Sequence, residues 1–160
     1  MRLSTQAEGR YLNREEQQKL LGFANALPQR FKASAAIEQK EDAIVRAVVD
    51  ELKQRYPNFP KYHDQGWAKC YRDVQLVLRY NVQAMIFDDM KLLEDKLLFW
   101  LRTILAASNF TPQLVRDTYT LLRDNCRSQV PGDAFSLLEA YLQRNIDVIS
   151  DFPEPANPAV

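Results

Sequence analysis

The chain has 160 residues, enough for one domain with a substantial core. Its 21 lysines and arginines balance 21 aspartates and glutamates, so net charge is zero, which argues against a nucleic-acid binder. The opening MRLSTQAEGRYLNREEQQ has no apolar signal region, and no stretch approaches the roughly 18 apolar residues of a membrane span. The expectation is therefore a cytoplasmic protein with no transmembrane segment, its two cysteines, Cys70 and Cys126, held as free thiols.

In chain order the pattern is helical throughout. Only four glycines occur, and most of the eight prolines fall at breaks or in the tail. Residues 14–27 place Leu20, Leu21, Ala24 and Leu27 on one side, open with acids, and are expected to stop at Pro28. Residues 34–56 carry Ile37, Ile44, Val48, Leu52 and Tyr56 at helical spacing and predict one helix. Pro57 and Pro60 make 56–66 a loop. A long helix from about Trp67 to Phe87 follows, then an apolar helix over 90–108. Asn109 to Thr111 is a turn, with Thr111 as cap and Pro112 at the first helical position of 112–127. Pro131-Gly132-Asp133 breaks the chain before a last helix over 134–150. The tail DFPEPANPAV holds three prolines and no core pattern, which predicts an extended or disordered segment. The organisation expected is one all-α domain over 1–150 and a Pro-rich tail over 151–160, with a helix count that suits globin-like packing.

Residues 69–73, KCYRD, are the most informative. At roughly 100° per residue, Cys70, Val74, Val77, Asn81 and Ala84 share one stripe of the 67–87 helix. Asp73 lies one turn from Cys70, with Cβ atoms about 5–6 Å apart, and Lys69 and Arg72 lie further round on its side. A thiol, a carboxylate and two cations can thus face one elongated ligand. Nearby cations favour the nucleophilic thiolate and can hold ligand carboxylates. Spacing alone favours the plainer alternative, a small core cysteine with surface charge around it.

Other chemistry is poorly supported. No nucleophile-base-acid set, P-loop or dinucleotide fingerprint can be assembled, so no enzymatic activity is expected. His63 is the lone histidine; it excludes a His-rich zinc site, and as a haem ligand it would have to act from the Pro-containing loop. Cys126 reads as packing.

K-C-x-R-D followed by L-R-Y resembles the bilin-attachment helix of the phycobiliproteins, the allophycocyanin and phycocyanin group. AEGRYL at 7–12, LLEDKLLFWLR at 92–102 and AYLQRNIDVIS at 140–150 resemble three further motifs of that family, in the same order. The resemblance implies a globin-like fold with extra N-terminal helices that serve subunit pairing, and a linear tetrapyrrole joined by thioether to cysteine. By position, Cys70 is similar to the attachment cysteine, Asp73 to the aspartate binding the inner pyrrole nitrogens, and Arg72 and Lys69 to the propionate partners. The implied cofactor is a phycocyanobilin-type bilin, covalent at Cys70. The implied partners are phycobilisome-type or bilin-biosynthesis proteins in homo- or hetero-oligomers, with thylakoid association on the cytoplasmic side. Trp67, one turn before Cys70, is the aromatic best placed to touch such a pigment; Phe99 and Trp100 are candidates that core packing would equally explain, and Tyr62 is a candidate lid.

Departures from the family pattern are also specific. Its N-terminal aspartate, which pairs across the subunit interface with an arginine matching Arg79, is here Gln6. The aromatic V-T-Y after that arginine is here Asn81-Val82-Gln83, and the family's A-G-D turn is Phe87-Asp88-Asp89. The loop before Cys70 is shorter, and Gly132-Asp133-Ala134 lacks the second attachment cysteine of some β subunits. Kept attachment chemistry on an altered partner surface resembles a divergent paralogue such as the bilin-biosynthesis-associated globins. The alternative from another class is an unpigmented assembly protein of the same fold.

Overall fold

The computed structural model describes residues 9–59 and 65–158. Gln6, Tyr62 and His63 lie outside the described residues.

Helix α1, Arg14–Glu38, opens on a reciprocal cap. The Asn13 side chain accepts from the Glu16 amide at 2.9 Å, and the Glu16 carboxylate accepts from the Asn13 amide at 2.8 Å. Arg10 adds two hydrogen bonds to the same carboxylate, and this guanidinium is the main reason the Glu16 carboxyl is held down at about 2. The helix does not stop at Pro28, as the sequence suggests, but runs through it. Proline removes one N–H and normally breaks a helix interior. Here Pro28 and Ala24, whose carbonyl loses its donor, are both exposed, so water can replace the missing partner.

The single helix expected over 34–56 is two. After α1 the chain turns at Gln39 and Lys40, and α2 runs Glu41–Arg55. Ile37 and Ile44 stay in phase across the corner and both are buried, so periodicity cannot see the break. Helix α3 is Gly66–Phe87. It is preceded by Gln65 at φ 54°, a left-handed conformation unusual for a long side chain. It ends at Asp88 at φ 51°, which pairs with Arg30 of α1 at 3.0 Å and accepts from the Tyr141 hydroxyl. Arg30 also donates to the Met85 carbonyl, closing the end of α3 onto α1.

The 90–108 segment is α4, Met90–Leu93, a π-turn at Glu94–Leu98, and α5, Phe99–Ala107. The Phe99 amide bonds back to the Glu94 carbonyl, five residues earlier. The extra residue puts Leu97 and Leu98 both in the core and turns Phe99 and Trp100 outward, 42% and 57% exposed. Neither belongs to the buried core, so core packing, one of the two roles the sequence offers for that pair, is not theirs. Helix α6, Pro112–Gln129, begins as expected, with Thr111 accepting from the Leu114 amide at 3.2 Å. Helix α7, Gly132–Ile149, starts two residues before the predicted position.

Helices α6 and α7 pack on one another, α2 lies across α6 and α3, and α1 covers α3 and α7. One continuous core joins them, with Ile44, Val77, Leu98, Leu122, Leu138 and Leu142 within it. The tail is not free of the fold: Phe152 packs against the core and Asp151 lies 3.7 Å from Arg102. Among the described residues there is no strand, and no helix is long and apolar enough to cross a membrane. The fold is all-α and globin-like, as the helix count suggested.

Candidate functional site

Helix α3 is amphipathic with one unfilled end. Val74, Val77, Asn81 and Ala84 of the predicted stripe are fully enclosed. At its N-terminal end the stripe instead meets a cavity of about 300 Å³. Gly66, Trp67, Lys69, Cys70, Asp73 and Val74 of α3 form one wall. Helix α5 supplies Leu101, Ile104, Leu105 and Ser108, repeating every three or four residues, and α6 supplies Leu114, Val115, Thr118 and Tyr119. Leu52, Phe59 and Phe110 complete the lining. Phe59 bridges two aromatics, its ring centroid 4.7 Å from that of Trp67 and 5.8 Å from that of Phe110.

Of the five residues singled out from the sequence, Trp67, Lys69, Cys70 and Asp73 share this cavity. Arg72 does not line it. Its side chain is 72% exposed and reaches Asp73 at 3.6 Å from outside. The cavity is mostly apolar, with its charged groups along one edge. Its volume sits at the low end for small-molecule sites.

The electrostatics correct one expectation. Burial first, and the Asp73 carboxylate second, raise the Cys70 thiol to about 12. Of the surrounding cations, Lys53 of α2 is the one that opposes this, not Lys69 or Arg72. Cys70 therefore rests as a protonated thiol. Asp73 is itself pushed above the ordinary carboxylate range, chiefly by burial, with Arg72 acting in the opposite sense. One anion and one thiol packed in an apolar wall resist ionising together. Alkylation of Cys70 by iodoacetamide at pH 8 is expected to run roughly ten- to a hundredfold slower than that of free cysteine, the smaller thiolate fraction outweighing its higher nucleophilicity. Asp73→Asn should speed it. A rate equal to free cysteine would show the thiol to be unperturbed.

Sequence reasoning missed Tyr119, Phe59, Phe110 and Lys53. Tyr119 follows Val115 by one turn on the buried face of α6, so its place was readable once that face was assigned to the cavity. The two phenylalanines sit outside the α-helices and carry no periodic mark. Lys53 acts from another helix, which spacing along α3 cannot report.

Away from the cavity, Arg79 is engaged within the chain. Its guanidinium donates to both Glu41 carboxylate oxygens at 2.8 and 2.7 Å, and Gln75 donates to the same group at 2.7 Å. The Arg79 hydrogen bonds hold the Glu41 carboxyl below its usual range.

Comparison with known proteins identifies the lineage. The family model for phycobilisome proteins matches residues 3–149. The chain is 29% identical over 99 residues to the phycobiliprotein beta chain of Mastigocladus laminosus, covering 59% of each chain. It is 30% identical over 99 residues to the allophycocyanin beta chain of Anabaena cylindrica, covering 59% of this chain and 62% of that one. Against the R-phycocyanin beta chain of Polysiphonia urceolata it is 30% identical over 145 residues, 82% of this chain and 84% of that one. The match thus spans about three fifths of the first two relatives and over four fifths of the third. A family match over nearly the whole length, on an all-α globin-like fold, establishes that the chain belongs to the phycobilisome protein family.

Proposed function

We propose that this chain binds a phycocyanobilin-type linear tetrapyrrole covalently through Cys70, as a pigment carrier in light harvesting or in accessory bilin handling, and not as a catalyst. The observation that carries the reading is the single apolar cavity edge on which Trp67, Lys69, Cys70 and Asp73 meet, in a member of a phycobilisome family. In this reading the Cys70 sulfur forms the thioether. Asp73 accepts hydrogen bonds from inner pyrrole N–H groups, which would also stabilise its ionised form. Lys69, and Arg72 from the rim, hold the propionates by charge-assisted hydrogen bonds. Trp67 stacks on the extended chain of rings. A pigment held rigid and extended loses less excitation to motion, which is what such a wall supplies.

The protonated resting state of Cys70 fits attachment by a dedicated lyase better than spontaneous addition. Partners are phycobilisome-type or bilin-biosynthesis proteins, in a cytoplasmic setting that includes the cytoplasmic thylakoid surface. The in-chain Arg79–Glu41 pair supports an accessory role over bulk antenna, because it occupies a cation otherwise available to a partner.

The test is co-expression with haem oxygenase, a bilin reductase and bilin lyases. Zinc-enhanced fluorescence on the denatured band is expected in wild type and not in Cys70→Ala. Fluorescence in neither would move the reading to an unpigmented assembly protein of the same fold. A sharp Soret band lost in His63→Ala would instead establish haem.

A further inference from the structure

Three hydroxyls lie on the cavity wall, and two are already committed. Ser108 donates to the Ile104 carbonyl at 2.9 Å, and Thr118 to the Leu114 carbonyl at 2.8 Å. Tyr119 is different. It is 4% exposed, lines the cavity with Cys70 and Asp73, and makes no side-chain hydrogen bond among the described residues. A buried Tyr hydroxyl normally finds a partner. Among the described residues, the sealed polar atoms without one are on Arg30, Asn81 and Asn145, so the Tyr119 oxygen is open to the cavity. It lies close enough to Cys70 and Asp73 for both to act on it electrostatically.

We propose that Tyr119 is a positioning residue whose hydroxyl donates a hydrogen bond to a neutral carbonyl oxygen of the ligand, the lactam oxygen on the ring joined to Cys70. The assignment rests on the pigment reading above. Among the described residues Tyr119 is the one uncommitted hydroxyl on the α5 and α6 walls; on the α3 wall Lys69 is given to the propionates in the reading above, and Asp73 can only accept when ionised. A ligand carboxylate is the wrong occupant, since it would face the Asp73 charge in an apolar wall. Burial, then Cys70 and Asp73, raise the Tyr119 pKa, so the hydroxyl keeps its proton at any ordinary pH. Reach selects the ring: Tyr119 shares a cavity with the attachment sulfur, and the lactam of that ring is the ligand's nearest carbonyl.

The experiment compares wild type with Tyr119→Phe, both co-expressed with the bilin-synthesis enzymes and lyases. Three readouts are taken: zinc fluorescence of the denatured band, native fluorescence yield, and the lactam C=O stretch by infrared difference spectroscopy. Attachment is expected to stay within about twofold of wild type. The highest-frequency carbonyl band should move up as a hydrogen bond is lost, and native fluorescence yield should fall about twofold or more, in line with the loss of one neutral hydrogen bond. Loss of attachment at an unchanged thermal melt would also support contact with the ligand. An attached pigment with unchanged carbonyl bands would overturn the assignment and leave the pigment reading standing. A melt and an attachment yield that fall together would make Tyr119 a folding residue and also overturn it. No pigment on either chain would remove both readings at once.

Discussion

Asp73→Asn is expected to leave a bilin attached at Cys70 while removing most of its visible absorption in the native state. Attachment needs the sulfur, which the substitution spares. Extension of the pigment needs an acceptor for the inner N–H groups, and an ionised carboxylate is about twice as strong an acceptor as a neutral one. Hydrogen bonds to charged groups contribute roughly 1.5–3 kcal/mol each, so losing one shifts the extended-to-folded balance of the pigment by about ten- to a hundredfold. The same change should act oppositely on the bare chain. Asp73 has its pKa raised on folding, so the folded state binds the proton more tightly than the unfolded one. Its destabilisation is absent below the unfolded pKa and fully present above the folded one. Unpigmented Asp73→Asn should therefore melt at or above the wild-type temperature at pH 7, with the advantage vanishing on acidification. Absorption identical to wild type in the pigmented variant would place the pigment's N–H groups elsewhere.

Leu122→Ala is expected to cost about 2–5 kcal/mol of stability, the range for a buried leucine whose surroundings collapse only partly. Leu122 is fully enclosed on α6, within the core that joins α6 to α7 and α2. For a chain of this size each kcal/mol lowers the melting temperature by roughly 2–4 °C. A fall of about 4–20 °C in a circular-dichroism melt is the expected result. A shift under 2 °C would mean that the site is not closed as described. Because Leu122 lies one turn beyond Tyr119 and Thr118, a pigmented Leu122→Ala chain also tests how far the cavity depends on the core behind it.

Helix α3 was legible because one stripe had to be apolar along its length. Val74, Val77 and Ala84 bury as that stripe demands, and Cys70 falls at its edge. The family resemblance, resting on four motifs in order, was likewise readable from residues alone. What failed did so for physical reasons. The corner at Gln39–Lys40 has neither proline nor glycine, and Ile37 and Ile44 keep phase across it. Pro28 is tolerated because its side of α1 faces water. One inserted residue at the π-turn rotated Phe99 and Trp100 out of the core, and neither lines the Cys70 cavity. Most consequential is Cys70. Counting neighbouring cations along α3 suggested a thiolate, but Arg72 points to solvent and burial dominates. Linear sequence reports charge; it does not report the dielectric in which the charge acts.

The central claim is that Cys70 carries one bilin. The most direct test is intact mass and peptide mapping of the chain co-expressed with bilin-synthesis enzymes and a set of lyases. A mass gain of one bilin, confined to the peptide that contains Cys70 with Cys126 unmodified, is the predicted result. A mass equal to the bare chain, when a known phycobiliprotein subunit is pigmented by the same cells, would contradict it.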